Sequence, residues 1–436
     1  MQTTLAENIR DTPQGREADA ILRSCVHCGF CLATCPTYQL LGDELDSPRG
    51  RIYLMKQMLE GEPVTASTQL HLDRCLTCRA CETTCPSGVK YGRLLDIGRS
   101  MTEERVERPP IGALKRYVLR KVLPHRRRFA TLLALARTVR WILPREIRVK
   151  IPPRRTSSTG QKQGWPAVRH ARKVVVLGGC VQPTLEPGID IAAAQVLDKV
   201  GISAVRASGT GCCGAVAHHL SAHDETLQQL RRNIDALWPH IDSGVEAIVV
   251  TASACTAMVT DYGHLLREDP NYAERAARVS ALVRDISQVV LAEAGALQEA
   301  LRRAAASDGA NTAAEQASTA KAKVRVAFHS PCTLQHGLKV KGVVEALLTE
   351  AGFSLTYVPD SHLCCGSAGT YSILQPGLSS RLLTDKVAAL SQGSPAVIAT
   401  ANIGCLTHIR GGTPVAVRHW IELVAARLQE SPIPGE

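Results

Sequence analysis

Three observations predict a multidomain chain, α+β and α/β in class, with a helical N-terminal domain followed by two copies of an α/β domain. The segment from Cys25 to Pro86 spells C-x2-C-x2-C-x3-C-P twice. From Lys173 onward, apolar strand-like runs alternate with helical stretches, and a cysteine pattern recurs at an offset of 152 residues that drifts to 150 at its last cysteine. A length of 436 residues also exceeds what one hydrophobic core ordinarily organises.

In order along the chain, residues 17–23 read as a short helix leading into the first motif, Cys25-Val-His-Cys28-Gly-Phe-Cys31-Leu-Ala-Thr-Cys35-Pro36. The second copy is Cys75-Leu-Thr-Cys78-Arg-Ala-Cys81-Glu-Thr-Thr-Cys85-Pro86. This is the spacing by which bacterial-type ferredoxins hold cubane 4Fe–4S clusters. Three thiolates on a tight loop converge on one cluster, while the fourth lies a helical turn further on and serves the other. Two clusters are therefore expected, one on Cys25, Cys28, Cys31 and Cys85, the other on Cys75, Cys78, Cys81 and Cys35. Zinc and disulfides are the competing readings, but zinc sites usually draw on two separated C-x2-C pairs. Between the motifs, Ser47 as N-cap, Pro48 at the first helical position and Gly61 beyond the end bound a helix. A further helix is expected around 67–72. Arg49 and Arg51 either approach the anionic clusters or are solvated at the helix start.

The bulk composition excludes several classes. The polar, mixed-charge start lacks a secretory h-region, and no apolar run approaches a membrane span. Sixteen cysteines this clustered are no disulfide framework, so a reducing, cytoplasmic setting is expected. The net charge of +11 is concentrated: residues 105–173 hold twenty Lys or Arg against two acids, and the rest of the chain is mildly acidic. Within that connector, 111–122 and 128–143 place Leu114, Tyr117, Val118 and Val122, then Leu132, Leu135, Val139 and Ile142, at helical spacing among arginines. Basic amphipathic helices with Trp141 suit an anionic membrane surface or an acidic partner; two helices packing inward with a charged outer face are the alternative. Nucleic acid is disfavoured, since no recognised module accompanies the charge and aromatics are 4%. Residues 152–166 read as a linker.

After Lys173, the run Lys173-Val-Val-Val-Leu-Gly-Gly-Cys180 is a buried strand ending on a cysteine, and residues 324–332, ending on Cys332, are its counterpart. Cys212-Cys213-Gly214 and Cys364-Cys365-Gly366 follow at equal distances. Strands at 246–251 and 396–401 then precede Cys255 and Cys405. Duplication is the natural reading, with 304–323 as a mobile tether. Cysteines at the C-terminal edge of an open α/β sheet occupy its ligand-binding edge. Cys180, Cys212, Cys213 and Cys255, and likewise Cys332, Cys364, Cys365 and Cys405, are candidate metal or redox sets. Another iron–sulfur species, a zinc, or unmetallated thiols lining a redox or quinone pocket all remain open. His329, His336 and His408 read as supporting or surface residues rather than ligands. The expected division is 1–104, 105–170, 171–303, 304–323 and 324–436.

Paired ferredoxin motifs followed by two Cys-Cys-Gly repeats resemble the iron–sulfur subunits of the heterodisulfide-reductase-related family. Cys25-Val-His-Cys28-Gly-Phe-Cys31, Thr37 to Asp46, Pro359 to Tyr371 and Thr400-Ala-Asn-Ile-Gly-Cys405 are similar to the glycolate oxidase iron–sulfur subunits within it. One departure stands out. Heterodisulfide reductases end each repeat in Cys-x-x-Cys, whereas here the endings are Cys255-Thr-Ala-Met258 and Cys405-Leu-Thr-His408, which counts against a disulfide-cleaving cluster. No G-x-G-x-x-G fingerprint follows a strand. The resemblance implies an electron-transfer subunit without catalysis on the organic substrate. A partner flavoprotein carrying FAD would oxidise glycolate to glyoxylate, and the electrons would pass through two 4Fe–4S clusters to a quinone or other acceptor, with the complex peripheral on the cytoplasmic face of the inner membrane. The alternatives are a subunit for D- or L-lactate or glycerol 3-phosphate, a heterodisulfide reductase in its own right, and a zinc scaffold.

Overall fold

The computed structural model describes residues 1–142, 151, 164–310 and 323–429. The linker read at 152–166 and the tether at 304–323 lie for most of their length outside these residues. The described parts are 164–166, 323 and 304–310, and the last of these continues the helix Ala294–Ala310 instead of starting a tether.

The N-terminal unit is helical. Thr12 caps Pro13–Ser24 by accepting a hydrogen bond from the Gly15 amide, and Pro13 opens the helix, so it begins well before 17. Ser47 caps Pro48–Leu59 in the same way through the Gly50 amide. With Ala66–Asp73 and Tyr91–Arg105, these helices enclose a core of Leu22, Ile52, Met55, Leu59, Leu72, Leu94 and Leu95. The cysteine loops hang from its rim.

Each repeat builds a four-stranded, all-parallel sheet. In the first, β1 (Lys173–Val176), β2 (Ser203–Arg206), β3 (Ile248–Val250) and β4 (Val283–Asp285) lie in the order β2-β1-β3-β4. In the second, β5 (Arg325–His329), β6 (Ser354–Leu355), β7 (Val397–Thr400) and β8 (Ala416–His419) lie in the order β6-β5-β7-β8. The chain order reverses between β1 and β3, and between β5 and β7. That point opens a crevice at the C-terminal ends of the strands. The central strands are buried on both faces, as parallel sheets require, which explains their Val- and Ile-rich texture. The edge strands β4 and β8 were not legible in advance, being short and mixed in polarity.

The two repeats share a core. Gly188–Lys199 packs on Trp420–Leu428, and one apolar cluster runs from Val174 and Val249 through Phe328 and Val397 to Trp420. His419 and the Thr251 carbonyl are 2.9 Å apart, and the Ser253 amide donates to the Ala401 carbonyl at 3.2 Å. The two cysteine-bearing sheet edges are thus held in fixed relation.

Candidate metal centres

The two ferredoxin loops share an unusual backbone. His27 and Gly29 in the first, and Thr77 and Arg79 in the second, all adopt positive φ (57°, 85°, 55° and 61°). Left-handed residues at alternate positions turn successive amides toward one concavity, a nest suited to an anion. Three of the four carry side chains, and that strain persists only where surrounding structure imposes it. One cavity is lined by Cys25, Cys28, Cys31 and Cys85, with Arg49 and Cys81. A second is lined by Cys35, Cys75, Cys78 and Cys81, with Arg51 and Tyr91. Each cavity gathers three cysteines of one motif and the fourth of the other. Burial pushes the Cys31 thiol up to about 11, and pushes Cys78 and Cys81 well above the ordinary range, with neighbouring sulfurs adding to the shift. Such crowded thiols stay protonated unless a metal replaces their protons. Nest, cavity and thiol supply together fit a cubane at each position.

A buried polar network backs the second cavity. Asp46, fully buried, accepts from Arg51 Nη2 at 3.1 Å and Arg74 Nη1 at 2.7 Å, and His71 Nδ1 lies 3.1 Å away without a hydrogen bond. Arg51 also donates to the His71 carbonyl at 2.7 Å and to Thr37 Oγ1 at 3.1 Å. Burial pulls the Arg51 pKa down, but the Cys75 sulfur, Tyr91, Cys35 and Asp46 outweigh it, and the net shift is upward. Arg51 is therefore a permanent buried cation beside the cavity, not a solvated helix-start residue. Arg49 remains partly exposed, donates to Glu44 at 2.7 Å and borders the first cavity. Tyr91 Oη lies 3.6 Å from Cys75 Sγ, and Arg99 donates to the Cys75 carbonyl at 2.7 Å. Asp46, Arg74, Tyr91 and Arg99 were missed from sequence; only the Thr37–Asp46 stretch hinted at them.

In the first repeat, Cys180 follows β1, Cys212-Cys213 follows β2, and Cys255 lies on Ser253–Thr260 after β3. Cys212 accepts from Cys180 and from Cys213, and Cys213 is also paired with Cys255; with burial these contacts raise Cys180 and Cys213, while Cys212, as acceptor, is lowered. In the second repeat Cys332 lies 3.9 Å from Cys364, and the sulfurs continue through Cys365 to Cys405. Gly366 holds φ at 88°, and a Cβ there would meet the Ser379 carbonyl oxygen at 2.7 Å, so the turn admits only glycine.

The surroundings of the two sets differ. Leu177 and Ile234 in the first repeat correspond to His329 and Lys386 in the second at the offset of 152, and Met258 corresponds to His408 at the offset of 150 that relates Cys255 to Cys405. Lys386 is 3% exposed, donates to the Asp360 carbonyl at 2.7 Å and faces Cys365, Cys364 and Cys405. His329 is buried, and desolvation, then Lys386 and His408, hold its pKa well below the usual imidazole range. His336 ties domains together: Nδ1 is 2.8 Å from Thr83 Oγ1, and Nε2 is 3.0 Å from the His362 carbonyl.

The ferredoxin unit docks on the second repeat. Leu76, Cys364, Tyr371 and Leu382 form a small apolar cluster, with Cys78 and Cys332 packed against it. Tyr371 Oη donates to the Arg74 carbonyl at 3.1 Å. Beside this contact opens a cleft of about 1520 Å³, counting its mouth, bordered by Cys78, Cys332, Arg99 and the His218–Asp96 pair at 3.2 Å.

The connector forms the helices Pro110–Val122 and Arg126–Thr138. Arg108 and Arg116 hold Asp73, and Lys121 holds Glu225. Ile111, Leu114, Tyr117, Leu132, Leu135 and Trp141 nevertheless face outward, Trp141 at 78% exposure. Each helix packs one leucine inward, Leu119 and Leu133, while most of the apolar stripe is on the surface. Among the described residues no helix is long and apolar enough to cross a membrane.

Residues 21–89 match the 4Fe–4S dicluster domain, and residues 174–260 and 326–410 match the cysteine-rich domain. The chain is 50% identical over 430 residues to the glycolate oxidase iron–sulfur subunit of Escherichia coli (strain K12), covering 99% of this chain and 100% of that one. It is 31% identical to the probable glycolate oxidase iron–sulfur subunit of Bacillus subtilis (strain 168), over 93% of this chain and 92% of the other. Lactate utilization protein A of an Exiguobacterium strain is 25% identical, over 56% of this chain and 94% of its own length. With two cysteine-lined cavities in the N-terminal unit and a Cys-Cys-Gly edge on each sheet, the chain belongs to the family of glycolate oxidase iron–sulfur subunits.

Proposed function

We propose that this chain is the electron-transfer subunit of a glycolate dehydrogenase, receiving electrons from a partner flavoprotein that carries FAD and oxidises glycolate to glyoxylate. Two 4Fe–4S clusters, bound by Cys25, Cys28, Cys31 and Cys85 and by Cys75, Cys78, Cys81 and Cys35, would supply one-electron carriers that split a two-electron donation into single steps. The observation that carries the reading is the pair of adjacent cavities with exchanged fourth cysteines and matching left-handed loops. The rest of the chain positions and tunes. Arg51 places a fixed positive charge beside Cys75 and Cys35, favouring the reduced, more negative state of a group held there. The contact of Leu76 and Cys78 with the second repeat excludes water from one side of that cavity. The cleft beside Cys78 supports access by a quinone or other acceptor, with the His218–Asp96 pair placed to hold a proton at its wall. The eight Cys-Cys-Gly cysteines are thiol sites additional to the two clusters.

The similarity to glycolate oxidase subunits over the full length favours glycolate over lactate. Iron, sulfide and zinc analysis of anaerobically purified protein, with EPR of the reduced form, is the first test. About eight irons and eight sulfides per chain are expected for two cubanes. Cys25→Ser in the assembled complex should remove one cluster and abolish glycolate:dye turnover; unchanged iron and unchanged turnover would overturn the relay. A panel of glycolate, D- and L-lactate and glycerol 3-phosphate on the same complex tests the substrate.

The outward apolar stripe flanked by arginines supports peripheral attachment to an anionic membrane, on the cytoplasmic face. Salt should then release the protein from anionic vesicles, because screening weakens such binding. Equal partitioning onto neutral vesicles would overturn the attachment.

A further inference from the structure

We propose that His329, Cys365 and Cys405 form a thiolate–imidazole site for a single zinc ion, present in the second repeat and absent from the first. The proposal extends the reading of the Cys-Cys-Gly sets above and is independent of the electron relay.

Three observations carry it. The ligand atoms of these three residues all lie within 4.8 Å of one another, and all three residues are buried. One tetrahedral ion with Zn–S bonds of about 2.3 Å sets its ligand atoms about 3.8 Å apart, so that spacing suits one ion. A cubane spreads its thiolates over four irons, and the eight ferredoxin cysteines form no group this tight among the described residues. The second observation is His329 itself, at 2% exposure with neither Nδ1 nor Nε2 hydrogen-bonded. A buried imidazole ordinarily satisfies both nitrogens, and here a ring nitrogen without a hydrogen bond lies within 4.8 Å of two sulfurs. Third, the duplication supplies an internal comparison. The matched position in the first repeat is Leu177, buried in an apolar cluster with Ile234 and Met258. The same backbone therefore tolerates an aliphatic side chain at this point, and core packing alone does not demand a histidine.

The ligands come from three segments that meet where the sheet order reverses. His329 ends β5, Cys365 belongs to the glycine turn after β6, and Cys405 lies on Ile403–Arg410 after β7. Asn402 Nδ2 lies 3.6 Å from Cys405 Sγ, a donor that would help hold it as thiolate. Two thiolates balance a divalent ion, neutral imidazole completes the trio, and Lys386, which faces the same sulfurs, is tied to the Asp360 carbonyl at 2.7 Å. Zinc carries no redox chemistry of its own, so its role is to clamp these segments beside Cys332 and Cys364, against which the Cys78 loop docks.

The test uses the full-length chain purified anaerobically, with zinc, iron and sulfide measured per chain on the unaltered protein, His329→Leu and His329→Cys. The expected result is about one zinc in the unaltered protein and its loss in His329→Leu, with iron and sulfide unchanged. Retention is expected in His329→Cys, which restores a zinc ligand. A His329→Leu protein that keeps its zinc would overturn the proposal, as would an unaltered protein without zinc or with iron and sulfide beyond two cubanes in its place. Should His329→Leu fail to fold, zinc K-edge absorption on the unaltered chain reads the same question. Two sulfurs with imidazole scattering support the site, and an all-sulfur shell overturns it. If the two clusters were absent, iron would fall while zinc remained, so failure of the relay is separable from failure of this site.

Discussion

Asp46 is a carboxylate with no solvent exposure, compensated by Arg51 and Arg74. Removing one partner from such a group leaves a charge in low dielectric, which typically costs about 3–5 kcal/mol. Arg51→Met should therefore lower the unfolding midpoint by several degrees and also make reduction at the second cavity harder. Each ~1.4 kcal/mol of lost charge stabilisation lowers a one-electron potential by about 59 mV. Potentiometric EPR titration beside thermal unfolding reads both effects. Arg51→Lys keeps the charge but loses the fork; it should retain more of the potential than of the stability. Gly366 makes a second argument from one residue. Gly366→Ala imposes left-handed strain of roughly 1–2 kcal/mol and a clash with Ser379, so the midpoint should fall, while Gly377→Ala in the nearby helix, where a Cβ meets nothing, should leave it unchanged.

The helices and their caps make predictions of their own. Asp285 caps Ile286–Ala292, accepting from the Ser287 amide and hydroxyl and the Thr256 hydroxyl. Burial outweighs these bonds and raises its carboxyl to about 6. An acid whose folded pKa is raised binds its proton more tightly when folded. Its protonated form is therefore favourable at low pH, and stability is lost as pH climbs from the ordinary value near 4 through 6. Asp285→Asn keeps the cap acceptor without the charge, so it should stabilise the chain at pH 7 to 8 by up to about 2–3 kcal/mol, with the gain vanishing near pH 4. Denaturant unfolding at several pH values checks this. In the connector, a buried leucine side chain is worth about 1.5–3 kcal/mol. Leu114→Glu with Leu135→Glu should therefore weaken binding to anionic vesicles more than tenfold in a sedimentation assay, without altering the iron content.

Across the whole molecule, three units meet around the Cys75–Cys81 loop. The Tyr371–Arg74 and Thr83–His336 hydrogen bonds fasten the second repeat to it, and a neutral hydrogen bond contributes about 0.5–1.5 kcal/mol net. Tyr371→Phe combined with His336→Ala should raise amide exchange across 74–84 and 332–337 and slow dye reduction by the assembled complex, while iron content stays constant. Unaltered exchange would show that the apolar contact through Leu76 and Leu382 holds the units by itself.

Much of this was written locally. The two cysteine motifs, the Ser47–Pro48 helix start, the strands ending at Cys180 and Cys332 and the duplication depend on spacing and capping within short stretches, and such features survive in a linear reading. The capped start at Thr12–Pro13 obeys the same local rules. Other features depend on what the chain brings together. His329 differs from Leu177 in a way visible beforehand, but its meaning requires Cys365 and Cys405 to arrive from separate crossovers of a parallel sheet. Asp46 and Arg51 look like surface residues until Arg74 and Tyr91 close over them. The outward turn of Leu114 and Leu135 was likewise undecidable from periodicity, which identifies an apolar face without naming what covers it. Sequence by itself determined the thiol supply, the duplicated strands and the helical scaffold, because these follow from neighbours a few residues apart. Only tertiary structure decided which thiols share a cavity, which charges are buried and which repeat carries an imidazole among its sulfurs, because burial and convergence belong to segments hundreds of residues apart in the chain.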